Sequence, residues 1–338
     1  MKVVRFIGGK LGRPQYRLRV LFALVAMASI PMAIVANREH AYRVRLAAVD
    51  VIRAGGPLCE VSVGTDEHDP CSGAATLGYD KDVLERDDVV TSINPTGYDR
   101  IALSSEQLSA ILCFPTVRCL YLSKAEISDA QFAQIATLPS LEILNLDGST
   151  ISDEGVRHLR GMRSLRVLEL RKTRITDAAL EFLAPLRELE VLDLSGTNVT
   201  GRGVRHLAAL HSLRWLGLSE TKISDASHAH LSDLPRLREL FLDNNDIGDE
   251  ALRHLARLPK LWFLELSATR VTDKGLKALA KSQSLERIVL EGCGISDAGL
   301  AHLGAMKSLK FMSLGHSGSV TPAGIARLKE LRPDIDIM

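Results

Sequence analysis

Residues 138–161, LPSLEILNLDGSTISDEGVRHLRG, hold two hydrophobic periods within 24 positions. In the first half Leu144 and Leu146 alternate with Ile143 and Asn145, as in a strand with one buried face. In the second half Val156 and Leu159 stand three apart, as on one face of a helix. Ser152 and Asp153 lie at the junction, where a hydroxyl caps a helix start and a carboxylate meets its positive end. A strand and one short helix cannot bury both their apolar faces alone, so the stretch implies neighbours built like itself.

Those neighbours flank it on both sides. Eight blocks of 24 run in unbroken register over residues 114–305, among them FPTVRCLYLSKAEISDAQFAQIAT at 114–137 and LPKLWFLELSATRVTDKGLKALAK at 258–281. A ninth, at 306–330, carries one extra residue. Segment 89–113 reads as a degenerate first repeat within an N-terminal cap over 57–113, and 331–338, LRPDIDIM, reads as a closing edge strand; atypical ends are what a repeat array needs as caps.

Each block carries L-x-x-L-x-L-x-x-N/C-x-L. The Asn/Cys slot is filled by Ala125, Ser149, Thr173, Thr197, Thr221, Asn245, Thr269, Cys293 and Ser317, mostly small groups able to satisfy the backbone of the turn behind the strand. On these residues the chain resembles the leucine-rich-repeat family. The ISDxG and ITDxG phrasing is similar to bacterial members with one N-terminal membrane anchor, and more distantly to the cysteine-containing repeats of F-box receptor subunits. The resemblance implies an α/β horseshoe solenoid, a parallel concave β-sheet with convex helices, and a role as an interaction scaffold. No F-box-like segment is present, so the ubiquitin-ligase role of the distant relatives does not carry over.

The first 19 residues carry Lys2, Arg5, Lys10, Arg13, Arg17 and Arg19 and no acid; without them 36 Lys and Arg face 41 Asp and Glu, a body of net charge −5. An acidic body argues against a phosphate-backbone partner, which excludes nucleic acid. Residues 20–37, VLFALVAMASIPMAIVAN, contain no charge. At about 1.5 Å per residue they just reach across a bilayer core. One transmembrane helix is therefore expected ahead of the repeats, with a cleaved signal peptide as the rival reading. Six basic residues before the segment against Arg38, Arg43, Arg45 and Arg53 after it place the N-terminus in the cytoplasm. Residues 38–56 read as a juxtamembrane helix stopped by Gly55 and Gly56. The expected location is the bacterial cytoplasmic membrane, single-pass, with the repeats periplasmic or otherwise outside.

Leucines of each strand point inward, so the residues between them should face the concave surface. One column reads Cys119, Ile143, Val167, Val191, Trp215, Glu239, Phe263, Arg287 and Phe311; the next reads Tyr121, Asn145, Glu169, Asp193, Gly217, Phe241, Glu265, Val289 and Ser313. Both columns are expected to be exposed. Trp215, Phe241 and Phe263, ringed by Asp193, Glu239 and Glu265 with a gap at Gly217, form the densest point, and Phe311 and Tyr121 extend it. Grouped exposed rings mark binding surfaces, and the acids call for a protein or peptide partner with basic groups. The alternative is that the rings merely shield neighbouring strands or pack under a loop.

Cys59, Cys71, Cys113 and Cys119 cluster near the N-terminal cap. In an exported body they allow three disulfide pairings, the simplest being Cys59 with Cys71 and Cys113 with Cys119; in the cytoplasm they would be buried thiols. His158, His206, His230, His254 and His302 recur at one outer helix position, where half-exposed rings cover a turn, so no metal site is assigned. G-x-S-x-G, H-E-x-x-H, a P-loop and paired CxxC are all missing, and carboxylates such as Glu169 and Asp193 on an open sheet do not exclude water; no enzyme and no cofactor is expected. The expected function is a membrane-tethered, non-catalytic protein- or peptide-binding scaffold. The alternative is a structural or assembly protein of the cell envelope acting through convex or edge surfaces.

Overall fold

A computed structural model describes residues 60–64, 89–94 and 102–338 apart from 226, 227, 316 and 318. The basic segment 1–19, the apolar segment 20–37, the stretch 38–56, Cys59 and Cys71 lie outside the described residues. Among the described residues no helix is long and apolar enough to cross a membrane.

Among the described residues twelve strands form one sheet in strict chain order: β1 (Glu60–Gly64), β2 (Val89–Asn94), β3 (Cys119–Tyr121), β4 (Ile143–Asn145), β5 (Val167–Glu169), β6 (Val191–Asp193), β7 (Trp215–Gly217), β8 (Glu239–Phe241), β9 (Phe263–Glu265), β10 (Arg287–Val289), β11 (Phe311–Ser313) and β12 (Asp336–Ile337). β1 runs antiparallel to β2, with a register shift at Ser62/Val63. From β2 onward every pair is parallel. The register never slips, so Val191, Trp215, Glu239, Phe263, Arg287 and Phe311 sit side by side along the sheet.

A helix follows each of β2 to β11. They are α1 (Ser105–Leu112), α2 (Asp129–Ile135), α3 (Asp153–Arg157), α4 (Asp177–Leu183), α5 (Gly201–Val204), α6 (His228–Leu231), α7 (Asp249–Leu255), α8 (Asp273–Leu279), α9 (Asp297–Gly304) and α10 (Pro322–Leu331). After α3 and α5 the chain tightens into 3₁₀ turns, His158–Gly161 and Arg205–Ala209, so these two repeats do not carry one plain helix each. The core lies between sheet and helices: Leu144, Leu168, Leu192, Leu216, Leu240 and Leu264 are all 0% exposed. Phe114 and Phe132 close it at the N-terminal end.

The helix starts work differently from the sequence expectation. The hydroxyl does cap its own helix, as Thr272 Oγ1 accepts from the Lys274 N–H at 3.3 Å. The following aspartate, however, also reaches into the next repeat. Asp153 accepts from the Thr176 N–H (2.7 Å) and hydroxyl (2.6 Å), and Asp177 makes the same two bonds to Thr200. Asp249 binds Thr272, Asp273 binds Ser296 and Asp297 binds Thr321 in like manner. Each carboxylate thus pins its neighbour's cap while sitting at its own helix N-terminus. The glycine in D-x-G has its explanation here: a Cβ on Gly155 would lie 2.5 Å from Asp129 Oδ1, and on Gly275 2.5 Å from Asp249 Oδ1.

The clamp is interrupted where Gly201 stands in place of the aspartate. Replacing Gly201 by Asp should place a negative charge at the start of α5. The expected gain is about 0.3–1 kcal/mol, read as a higher midpoint in denaturant titration; an unchanged midpoint would show that charge at this helix start does not stabilise the array.

The Asn/Cys slot is buried and bonded as its residue types require. Thr173, Thr197, Thr221 and Thr269 donate to the carbonyl three residues back at 2.6–2.7 Å. Asn245 spans two repeats, donating to the Leu218 carbonyl at 2.7 Å and to the Leu242 carbonyl at 3.1 Å. Ser149 is the exception, with its buried hydroxyl unpaired.

Candidate functional site

β7, β8 and β9 place three rings on the concave surface in a zigzag. Trp215 and Phe263 occupy one column with Glu239 between them, and Phe241 stands in the next. The Trp215 and Phe241 centroids are 4.8 Å apart with planes at 37°, and Phe241 and Phe263 are 5.0 Å apart at 36°. Such pairs add about 0.5–1.5 kcal/mol beyond area burial, so the rings hold each other in place. All three are half-buried. Trp262, which the columns read from the sequence left out, meets Phe263 edge-on at 6.0 Å. The column immediately before the strand would have shown it, since all its other members, from Arg118 and Glu142 to Glu286 and Lys310, are charged.

Expected exposure does not hold throughout. Asp193 is only 6% exposed; its carboxylate accepts the Ser195 N–H at 2.9 Å and lies 3.5 Å from the Arg171 guanidinium. Cys119 and Ser313 are buried as well. Gly217 leaves no gap. A Cβ there would fall 2.8 Å from the Trp215 ring edge and against the Asp193 carboxylate. The space freed by the missing side chain is what lets the indole lean across its own strand toward Phe241.

Glu239 and Glu265 are half-buried beside the rings, and Glu265 accepts the Ser267 N–H at 3.0 Å. Phe311 is separate from the stack: Arg287 lies between, its guanidinium 4.4 Å above the Phe311 ring. Tyr121 is half-buried on β3, four strands from Trp215. Cys113 carries a free thiol that donates to the Ser109 carbonyl at 3.3 Å, whereas Cys119 is disulfide-bonded. The pairing of Cys113 with Cys119 is therefore wrong. Cys113 ends α1 and is held by that helix, while Cys119 lies on β3. Among the described residues no group of three or more His, Cys, Asp or Glu side chains converges as metal ligands would.

The concave face is strongly acidic. A third column, one step beyond Gly217, adds Asp147, Asp243 and Glu291 to Glu169, Asp193, Glu239 and Glu265, against the two guanidiniums of Arg171 and Arg287. Burial pushes the Glu169 carboxyl above its usual range; the Asp147 and Asp193 carboxylates add to that, and the Asn145 amide, hydrogen-bonded to it, opposes it. Asp147 and Glu265 are raised by burial too, the first opposed by the Arg171 N–H and the second by Ser267. Burial raises Glu239 against the pull of Arg238.

Because folding raises these values, the fold binds their protons more tightly than the unfolded chain does. Stability should fall as pH rises from the ordinary glutamate range through the raised folded value. Glu169→Gln removes the buried charge yet keeps an acceptor for Asn145. It should melt higher than the parent at neutral pH, with the difference shrinking on mild acidification. A parent that melts higher at neutral pH would contradict this.

In comparison with known proteins, a sequence profile described as "Leucine-rich repeat region" matches residues 109–287, and one described as "Leucine Rich repeat" matches 281–304. No curated protein matches the chain. Among solved structures it is similar to an internalin of Listeria monocytogenes, at 24% identity and TM-score 0.53 over 68% of this chain and 69% of that one. It is also similar to a leucine-rich-repeat protein of Leptospira interrogans, at 20% identity and TM-score 0.50 over 68% of this chain and 62% of that one. At these identities the likeness concerns the fold. With a repeat profile covering more than half of its 338 residues, and the strand, turn and helix of that repeat in register along the sheet, the chain belongs to the leucine-rich-repeat family.

Proposed function

We propose that this protein is a non-catalytic binding scaffold that holds a protein or peptide partner on its concave face. The carrying observation is the stack of Trp215, Phe241 and Phe263, half-buried on an open sheet among carboxylates. Rigid rings offer contact area at little entropic cost, and a face of one sign selects partners of the other. The acidic surround favours a partner with basic groups. The family to which the chain belongs supports a binding role, since its members vary the residues facing out from a constant frame.

The scaffold is tethered to a bacterial cytoplasmic membrane by residues 20–37, with the repeats outside. The uncharged run behind six basic residues supports the tether, and the disulfide at Cys119 supports an oxidising compartment. A reporter enzyme fused to the C-terminus and active only outside the cytoplasm should be active; inactivity would reverse the orientation.

Alanine at Trp215 and Phe263 should weaken the binding of peptides selected on the parent protein at least about tenfold for each ring removed, with the thermal midpoint recorded to confirm folding. Unchanged affinity would remove the stack from the binding site. The assembly reading rests on Leu331 and Met338, 70% and 76% exposed near the closing strand β12. It predicts that polar substitutions there, and not at the rings, alter the oligomeric state in sedimentation.

A further inference from the structure

Beside the ring stack, on the side where the chain leaves β6 and β7, lies a hollow of about 240 Å³ walled by Trp215 and Phe241 and edged by Ser219, by the acids Asp193, Glu220 and Asp243, and by the bases Arg171 and Lys172. Its shape follows from Gly217, which lets the indole lean over the strand and form one apolar wall. Its volume admits a single side chain and no folded element. The rings continue beyond it to Phe263 and Trp262, leaving an apolar track for residues flanking the one that enters.

The two aspartates at the hollow are not equivalent. Asp193 is buried, and the Arg171 guanidinium lies 3.5 Å from it. Asp243 is half-buried and takes the Ser219 hydroxyl and, at 2.9 Å, the Asn244 amide, both neutral donors. Among the described residues Asp243 has no ion-pair partner. A ligand that satisfies this site needs an aliphatic stem to lie against two ring faces and a cationic head to reach a carboxylate. Lysine and arginine side chains have that form, and the excess of acid over base on this face favours the approach of a basic chain.

We propose that the hollow receives one lysine or arginine side chain of an extended polypeptide partner, its stem between Trp215 and Phe241 and its head on Asp243. This deepens the concave-face reading and rests on it.

The test is selection of random dodecapeptides displayed on phage against the immobilised full chain, followed by affinity measurement on the synthetic peptides. The selected peptides should share a lysine or arginine whose replacement by alanine weakens binding at least about tenfold. That penalty should shrink to under about threefold when measured on Asp243→Asn, and likewise on Asp243→Ser in case the first variant does not fold. Peptides without a shared cation, or with the same penalty on the parent and on both Asp243 variants, overturn the proposal. If such peptides still lose affinity on Trp215→Ala, the concave-face reading stands without the cation pocket. If they are indifferent to Trp215→Ala as well, or if no peptide is enriched, both readings fall.

Discussion

Leu216→Ala should lower the stability of the repeat domain by about 3–5 kcal/mol and its thermal midpoint by roughly 6–15 °C. Leu216 is 0% exposed, lies on β7 between Leu192 and Leu240, and is directly paired with both. Removing its branched end leaves a cavity whose walls are held by a sheet in fixed register, so little collapse can fill it. The exposed Leu331, at 70%, serves as the comparison, since alanine there should cost well under about 1 kcal/mol. A loss at Leu216 no greater than at Leu331 would mean that the leucine ladder is not the core. Urea titration of both variants decides the matter.

The second large effect is expected at the carboxylate clamp. Asp249→Ala removes both acceptors for Thr272, the N–H at 2.8 Å and the hydroxyl at 2.7 Å, and takes a negative charge from the start of α7. About 2–3 kcal/mol should be lost, because charge-assisted bonds are strong and a part-buried N–H is left without a protein partner. Asp249→Asn keeps one acceptor and should cost about half as much. In an array whose units contact only their neighbours, weakening one junction also loosens the coupling between the two sides. The unfolding transition of Asp249→Ala should therefore broaden, with repeats beyond Thr272 exchanging amide hydrogens sooner than those before Asp249. Equal protection on the two sides would show that the clamp adds stability without coupling repeats.

The period of 24, the strand and helix in each block and the inward leucines were legible because they are local properties repeated nine times. Leu144 to Leu146 alternates and Val156 to Leu159 advances by three whatever the neighbours do. The columns of facing residues follow from register alone, which is why spacing is enough to group Trp215, Phe241 and Phe263. What the columns could not supply was direction. Asp193 and Glu239 both face the concave surface in the columns read from spacing, yet Asp193 is 6% exposed beside Gly217 while Glu239 is half-buried beside the rings. Trp262 went unread because it sits one place ahead of the strand, among charged residues, and only its 6.0 Å contact with Phe263 joins it to the stack.

The sequence by itself determined the leucine-rich solenoid, its sheet order, its core and the place on the concave face where rings collect, since each is set by spacing along the chain. Tertiary structure alone decided that aspartates at helix starts reach into the next repeat, that Gly217 is filled by Trp215 and Asp193, and that Cys119 is bonded while Cys113 is free. The aspartate bonds depend on residues 23 apart meeting at about 3 Å. Periodicity specifies which residues become neighbours; only their packed shapes decide which way each side chain turns.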